Sequence, residues 1–257
     1  MSAADPVKLE QVKRRTWFYR FPLPDGSVTP IGIPEEIIKI HTSRAGHLRR
    51  VIEQRVMHPA ALTAIDFASH EGFFSIELAK HFSSVRGYEF RRESLAAARL
   101  ISDVLGVRNV EYVQADLQHM QFDRSLSADF VLVFGLMYHL ENPIHVLRLA
   151  SQLCRQHILV ETQVFPYDVT GRLEDGSYHN QRPIEGVFGL APDFPAERLG
   201  GSTELALVPS LNALLFLLKQ FGFVQTEVLA PDPDDYEQFS RGARVIVYGR
   251  KEMPRGV

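Results

Sequence analysis

The sequence predicts an α/β fold in which a mostly parallel sheet is covered by helices on both faces. Three observations lead there. Short apolar runs rich in β-branched and aromatic residues recur at 64–67, 85–89, 110–114, 130–134 and 158–164. Helical patterns fill the gaps, at 73–82, 93–105 and 143–154, with apolar residues such as Leu95, Ala98, Ile101 and Leu105 at helical spacing. Strands alternating with helices imply parallel pairing through crossovers. Finally, 257 residues at 45% hydrophobic content suit one large core, since single cores stop growing at roughly 250–300 residues.

Taken in order, residues 1–58 read as irregular. Residues 16–32 alternate apolar and polar around Pro24-Asp25-Gly26, a hairpin signal. A helix is expected over about 44–57, ended by His58-Pro59. The α/β core begins near residue 62. Residues 165–208 break its rhythm with Pro166, Pro183, Pro192, Pro195 and several glycines, a structureless insert of the kind that serves function. An apolar helix over 211–221, stopped by Gly222, and strands at 223–229 and 244–249 resume the pattern. The expected organisation is an extension (1–61), a core domain (62–250) carrying an acceptor-covering insert (165–208), and a tail (251–257).

Composition narrows the function. A net charge of −3 provides no global field for a polyanion. One cysteine, Cys154, allows neither an internal disulfide nor a multi-thiolate zinc site, and it falls on the apolar face of the 143–154 helix. No apolar run approaches the roughly 18 residues of a membrane span, and the first residues show no hydrophobic signal core. A cytoplasmic enzyme without membrane contact is expected. Lys13-Arg14-Arg15 beside Trp17-Phe18-Tyr19 has the basic–aromatic character of RNA contacts. In a net acidic chain it reads better as a solvated charge run before a packed hairpin.

The most informative segment is Asp66-Phe67-Ala68-Ser69-His70-Glu71-Gly72-Phe73. An apolar strand runs into a small-residue turn and then a helix, where open α/β sheets bind ligands. Small residues admit a ligand to the backbone, and the helix start offers free N–H groups. The second strand ends in Glu89, near the roughly 20-residue spacing at which an acidic partner for a ribose diol sits. Asp116-Leu117 after the third strand suits an exocyclic amine and a purine face.

In these residues the chain resembles the class I S-adenosylmethionine-dependent methyltransferases. The resemblance covers about 62–164 and implies a Rossmann-like, mostly parallel seven-stranded sheet. It also implies S-adenosylmethionine (SAM) as cofactor and S-adenosylhomocysteine (SAH) as product. It carries Asp66, Ala68, His70, Gly72 and Phe73 onto the glycine-rich first motif that holds the methionine part. Glu89 falls on the ribose position and Asp116-Leu117 on the adenine position. Phe134, Gly135, Tyr138 and His139 fall on the fourth-strand motif beside the reacting methyl group. The stretch Gly135-Leu136-Met137-Tyr138-His139-Leu140, with Asn142-Pro143 and Glu161-Thr162-Gln163-Val164, is similar to the branch containing the wobble-uridine tRNA carboxymethyltransferases. The family usually places glycine where Ala68 and His70 stand, and a side chain there is strained if φ is positive. Either the loop is reshaped with His70 beside the cofactor carboxylate, or binding is lost.

Methyl transfer is an in-line displacement, so a base is needed only when the acceptor must lose a proton. His139 is the first candidate for that base, because imidazole titrates near neutrality. A helix-start histidine bonded to a carbonyl is the competing account. Glu161 is the second candidate, against a carboxylate paired with an arginine from the insert. Alternation places Gln163 on the face of Glu161. Gln163, Tyr178, His179 and Arg182 are candidate acceptor contacts. No His-x-x-x-His spacing supports a metal site. The expected function is O- or N-methylation of a small molecule. A tRNA-modifying transferase using carboxy-SAM and an inactive SAM-binding homologue stay open. A dinucleotide oxidoreductase ranks below them, because the turn lacks Gly-x-Gly-x-x-Gly.

Overall fold

A computed structural model describes residues 5–169, 171–173, 182–195 and 201–252. The elements in chain order are α1 (Pro6–Arg14), α2 (Glu35–Arg55), β1 (Thr63–Phe67), α3 (Phe73–Ala79), β2 (Ser84–Glu89), α4 (Arg92–Val104) and β3 (Val110–Gln114). There follow β4 (Ala128–Phe134), α5 (Pro143–Leu153), β5 (Cys154–Gln163), β6 (Gly171–Leu173), β7 (Arg182–Ile184), β8 (Phe188–Pro192) and β9 (Leu205–Pro209). The chain ends with α6 (Leu211–Gln220), β10 (Phe223–Val228), α7 (Glu237–Ser240) and β11 (Arg244–Lys251). Seven strands form one sheet in the order β10-β11-β5-β4-β1-β2-β3. β1–β2 and β2–β3 pair in parallel, whereas β11 lies antiparallel to both β5 and β10. The expected mostly parallel sheet is present. Among the described residues no helix is long and apolar enough to cross a membrane.

The chain divides into two compact units. The first takes the residues up to Leu117 with Ala128–Leu132 and Asp232–Tyr236. Its N-terminal part is not irregular, as the sequence reading had it. Asp5 accepts Val7 N at 2.9 Å and Pro6 occupies the first turn, which starts α1. Lys8 bridges to Asp103 of α4 at 2.5 Å. α2 is longer than expected, since buried His41, Arg44 and His47 interrupt the apolar stripe of Ile38, Ala45, Leu48 and Ile52 that periodicity detects. The hairpin signal is realised as a turn, with Leu23 N bonded to Ser27 O at 2.8 Å and Gly26 at φ +84°. Only isolated bridges form, Pro22 with Val28 and Trp17 with Ile31, because Pro22, Pro24 and Pro30 donate no ladder bonds. The basic–aromatic run is absorbed locally. Lys13 pairs with Asp25 at 2.5 Å, and the Trp17 ring is fully buried.

The second unit comprises Gln118–Ser127, Val133–Pro231 and the residues from Glu237 onward. Cys154 opens β5 instead of closing the preceding helix, and its buried thiol donates to His157 O at 3.1 Å. Asn142 caps α5 by accepting His145 N at 3.1 Å, with Pro143 at the first helical position. The insert is not structureless: β6 pairs with β7 and β8 with β9, both antiparallel.

Candidate active site

In the first unit, buried β1 delivers Asp66 and then turns sharply. Ala68 (φ +59°), His70 (φ +49°) and Gly72 (φ +84°) are all left-handed, which costs a non-glycine residue about 1–2 kcal/mol. Backbone bonds over-determine the turn. Ser69 N donates to Tyr88 O at 2.9 Å and Gly72 N to Ser69 O at 2.8 Å. His70 N donates to Glu89 Oε2 at 2.9 Å, and Arg91 N to Glu89 Oε1 at 2.8 Å. Glu89, at the end of β2, therefore clamps the first loop while each oxygen keeps a further acceptor site. Burial pushes its carboxyl upward, tempered by the Arg91 and His70 backbone N–H groups. Gly72 is obligatory: a Cβ there would collide with the Tyr112 hydroxyl and stand 3.0 Å from Ala98 Cβ. Asp66 accepts Ser75 Oγ at 2.6 Å, and burial raises its carboxyl to about 7.

The loop side chains face the N-terminal segment. Glu71, buried, accepts Phe18 N at 2.7 Å and lies 3.6 Å from Arg15 Nη2. The His70 ring meets Phe18 and Tyr19 edge-on at 5.2 and 5.7 Å. Phe73 stacks on Tyr19 at 4.9 Å. From α2 come buried His41 and Arg44, neither of which the sequence singled out. Burial first, then the charges of Arg44 and His70, push His41 down to about 3. Both ring nitrogens of His41 and the Ser69 hydroxyl are buried without a hydrogen-bond partner among the described residues. A loop already in the left-handed turn, a clamped buried carboxylate and orphaned buried polar atoms fit a polar, nucleoside-bearing cofactor. Asp116, half-buried, and Leu117, buried, follow β3, and Ala115 N donates to Glu89 O at 3.0 Å.

In the second unit, β4 ends at Phe134 and the chain turns at Gly135 (φ +66°) into a short 3-10 turn, Met137–His139. Glu161, fully buried on β5, accepts Gly135 N at 3.0 Å on one oxygen and Arg244 Nη1 at 2.9 Å on the other. Its arginine comes from β11, not from the insert. Arg244 lies over the Tyr138 ring at 4.7 Å and donates to its hydroxyl at 3.2 Å. Tyr138 in turn packs on the His139 ring, centroids 4.3 Å apart. His139, about a quarter exposed, directs Nδ1 at Asp193, 3.2 Å from Oδ2. Its Nδ1 thus faces a carboxylate. Gln163 is half-buried opposite Arg244 in the β5–β11 register.

The structure thus gathers the two sets of predicted residues locally. Asp66, Ala68, His70, Gly72, Phe73 and Glu89 share one loop system, although the rings of His70 and Phe73 are committed to the N-terminal segment. Gly135, Tyr138, His139 and Glu161 share another. Arg182 is exposed on β7, while Tyr178 and His179 lie outside the described residues. Sequence reasoning missed Arg244, Asp193, His41 and Arg44; a buried basic residue inside a helical stripe was the available signal for the last two. One group of metal-type ligands, His47, Asp232 and Asp235, occurs among the described residues. His47 is bonded to Asp235 at 2.6 Å and Arg50 is seated on Asp232, so its acidic charges are already compensated.

Residues 65–157 match the family described as "Methyltransferase domain". A search of curated protein sequences returned no match. Among solved structures, the N-terminal domain of EvdMO1 with SAH and D-fucose is 22% identical, with 96% of each chain covered and a TM-score of 0.72. Against the whole EvdMO1 chain, 95% of this chain aligns with 47% of that one at 21% identity, TM-score 0.61. Magnesium protoporphyrin IX methyltransferase from Synechocystis PCC 6803 with bound SAH is 13% identical, covering 86% of this chain and 89% of that one, TM-score 0.55. Residues 65–157, which run from β1 into β5, are thus similar to a methyltransferase domain, and the strand order is that of the solved methyltransferase structures they resemble.

Proposed function

We propose that the chain methylates a hydroxyl or amine of a small molecule, with His139 as general base. The observation carrying this is the imidazole itself: partly exposed, packed by Tyr138 and oriented by Asp193 at Nδ1, it stands at the end of β4. The net charge of −3 and the D-fucose in the EvdMO1 domain structure favour a small, sugar-like acceptor. The resemblance of residues 135–143 to the tRNA carboxymethyltransferase branch gains no support from the family match, which is to a general methyltransferase domain. A cytoplasmic setting agrees with the single buried thiol.

When bound, SAM supplies an electrophilic methyl group on a sulfonium. In the first unit we assign its ribose to Glu89, its adenine to Asp116 and Leu117, and its methionine part to the 66–72 loop. In the second unit His139 would take the proton that the acceptor loses and later release it to water. Because both oxygens of Glu161 are engaged, its proposed role is to fix Gly135 and Arg244 instead of moving protons. Tyr138 holds the imidazole plane. Gln163 and Arg182 are proposed acceptor contacts.

Two measurements test this. Calorimetry with SAH reads binding by the full chain, and a SAM-dependent screen of deoxyhexoses and small amines reads SAH release. Binding with turnover that falls about 10²–10⁴-fold in H139Q supports the reading, that being the usual size of general-base catalysis. Absence of SAH binding, or full turnover in H139Q, sinks it.

A further inference from the structure

We infer that the end of β5 and the β8–β9 hairpin of the insert form the acceptor subsite, shaped for an uncharged, hydroxyl-bearing ring with an apolar edge, as in a deoxyhexose. The inference rests on the reading of the chain as a small-molecule methyltransferase and deepens it by naming the acceptor class and its pocket. A cavity of about 410 Å³ opens there, wholly inside the second unit and within the roughly 300–1,000 Å³ of small-molecule sites. Gln163, Phe165, Gly189, Leu190, Val208 and Gln238 line it. It adjoins the carboxyl end of β5, and ligands of open α/β sheets bind beyond the carboxyl ends of the strands.

An aromatic ring fixed through its backbone forms one wall. Phe165 N donates to Pro209 O at 2.8 Å, and Val164 N before it to Ala243 O at 3.1 Å. The ring lies against the bare backbone of Gly189, where a Cβ would come within 2.3 Å of it. Gly189 faces Val208 in the β8–β9 register, so the same strand pair adds apolar surface. Two carboxamides complete the lining. Gln238 is oriented by Arg244, whose Nε donates to Gln238 Oε1 at 2.6 Å, so its NH2 group is left to donate. The half-buried Gln163 amide has no hydrogen-bond partner among the described residues and offers both a donor and an acceptor. Hydroxyl groups donate and accept, so they match this pair. A carboxylate or ammonium would enter without a counter-charge, because no charged side chain lines the cavity among the described residues. A phosphate-bearing acceptor meets no cation there either. The same framework carries the proposed base. Arg244 donates to the Tyr138 hydroxyl at 3.2 Å, and Asp193, next after β8, lies 3.2 Å from His139 Nδ1.

The test titrates the full ¹⁵N-labelled chain, with SAH present, with D-fucose, D-galactose and D-galacturonate. These share one ring and differ in carrying a methyl, a hydroxymethyl or a carboxylate. The Gln163 side-chain NH2 signals, assigned by their loss in Q163L, are expected to shift with D-fucose, less with D-galactose, and not with D-galacturonate. Affinities are read from the backbone amides of β8. Q163L should weaken D-fucose binding about fivefold, the size of one hydrogen bond, and G189A, which displaces the Phe165 ring, at least as much. Dispersion of the amide spectrum reports folding, and Q163L alone decides if G189A does not fold. Unmoved Gln163 signals, an equal response to D-galacturonate, or unchanged affinity in Q163L overturns the subsite. Full turnover in H139Q with the Gln163 shifts intact overturns the base and leaves the subsite standing. Methyl transfer to D-fucose at wild-type rate and KM in Q163L overturns the subsite and leaves the SAM-dependent reading standing.

Discussion

Replacing Asp66 by Asn should make stability grow, relative to the wild type, as pH rises from about 4 to about 7. Asp66 is buried at the end of β1 with Ser75 Oγ as its hydrogen-bond donor, and burial lifts its carboxyl from 3.8 to about 7. Between those values the folded chain holds a proton that the unfolded chain has released. Fewer protons bound in the unfolded state means that wild-type stability falls with pH, by about 1.4 kcal/mol per unit for one proton. Over three units the total is about 4 kcal/mol. His41 works in the opposite sense. Lowered from 6.5 to about 3, it binds fewer protons folded than unfolded, so it adds stability as pH rises through the same range. Glu89, also raised by burial, acts in the same sense as Asp66, so the wild-type curve should fall across this range less steeply than the two carboxyls alone would make it. Asp25, Asp103, Asp123 and Asp232, all lowered, act mainly below pH 4. Asn cannot ionise and keeps an oxygen for Ser75, so D66N isolates the aspartate. Urea unfolding followed by the fluorescence of Trp17, the single tryptophan and fully buried, reads the difference. D66N minus wild type should rise by about 3 kcal/mol between pH 4.5 and 7.5. A difference that stays constant over that range refutes the burial argument.

Gly72→Ala should cost about 2–4 kcal/mol, combining a left-handed φ with a collision against Tyr112. In Y112F the added cost should shrink, which a double-mutant cycle of urea midpoints would reveal. Ala68→Gly should stabilise the chain by about 0.5–1 kcal/mol, relief of left-handed strain exceeding the added chain entropy; a lowered melting temperature would contradict this. Glu161→Gln leaves Arg244 buried without its carboxylate and should cost about 3–5 kcal/mol, or roughly 10 °C in melting temperature. Removing the stranded charge as well, in E161Q/R244M, should return part of that loss, and calorimetric melting decides.

What the sequence made legible was local. β3 falls on its predicted residues and β1, β2 and β4 within a residue or two, because β-branched runs between turn residues are a signal contained in five to seven positions. Asn142-Pro143 announced the start of α5 for the same reason. The failures are long-range. α2 buries three basic residues whose environment is set by segments distant in sequence, so its stripe looks broken. The partner of Glu161 comes from β11 and that of His139 from β8–β9, pairings that no spacing within a motif encodes. Glu71 sits inside the 66–72 turn, yet its carboxylate serves the backbone of Phe18 and Tyr19.

That last contact reframes the missing glycines. Ala68 and His70 do occupy the left-handed conformations for which glycine is the ordinary choice, so the backbone path is kept and the side chains bear the strain. At His70 the strain has a structural return. A glycine there would have no ring to set against Phe18 and Tyr19, and edge-on aromatic contacts contribute about 0.5–1.5 kcal/mol each, comparable to the cost of the left-handed residue. Together with Glu71, the ring fastens residues 15–19 to the loop, and Tyr19 extends the contact to Phe73. Ala68 has no such ring, and this is why relief is predicted at 68 and not at 70. The departure from the glycine pattern thus goes with an N-terminal segment docked on the 66–72 loop, and a His70→Gly chain should loosen that segment before it loses the turn.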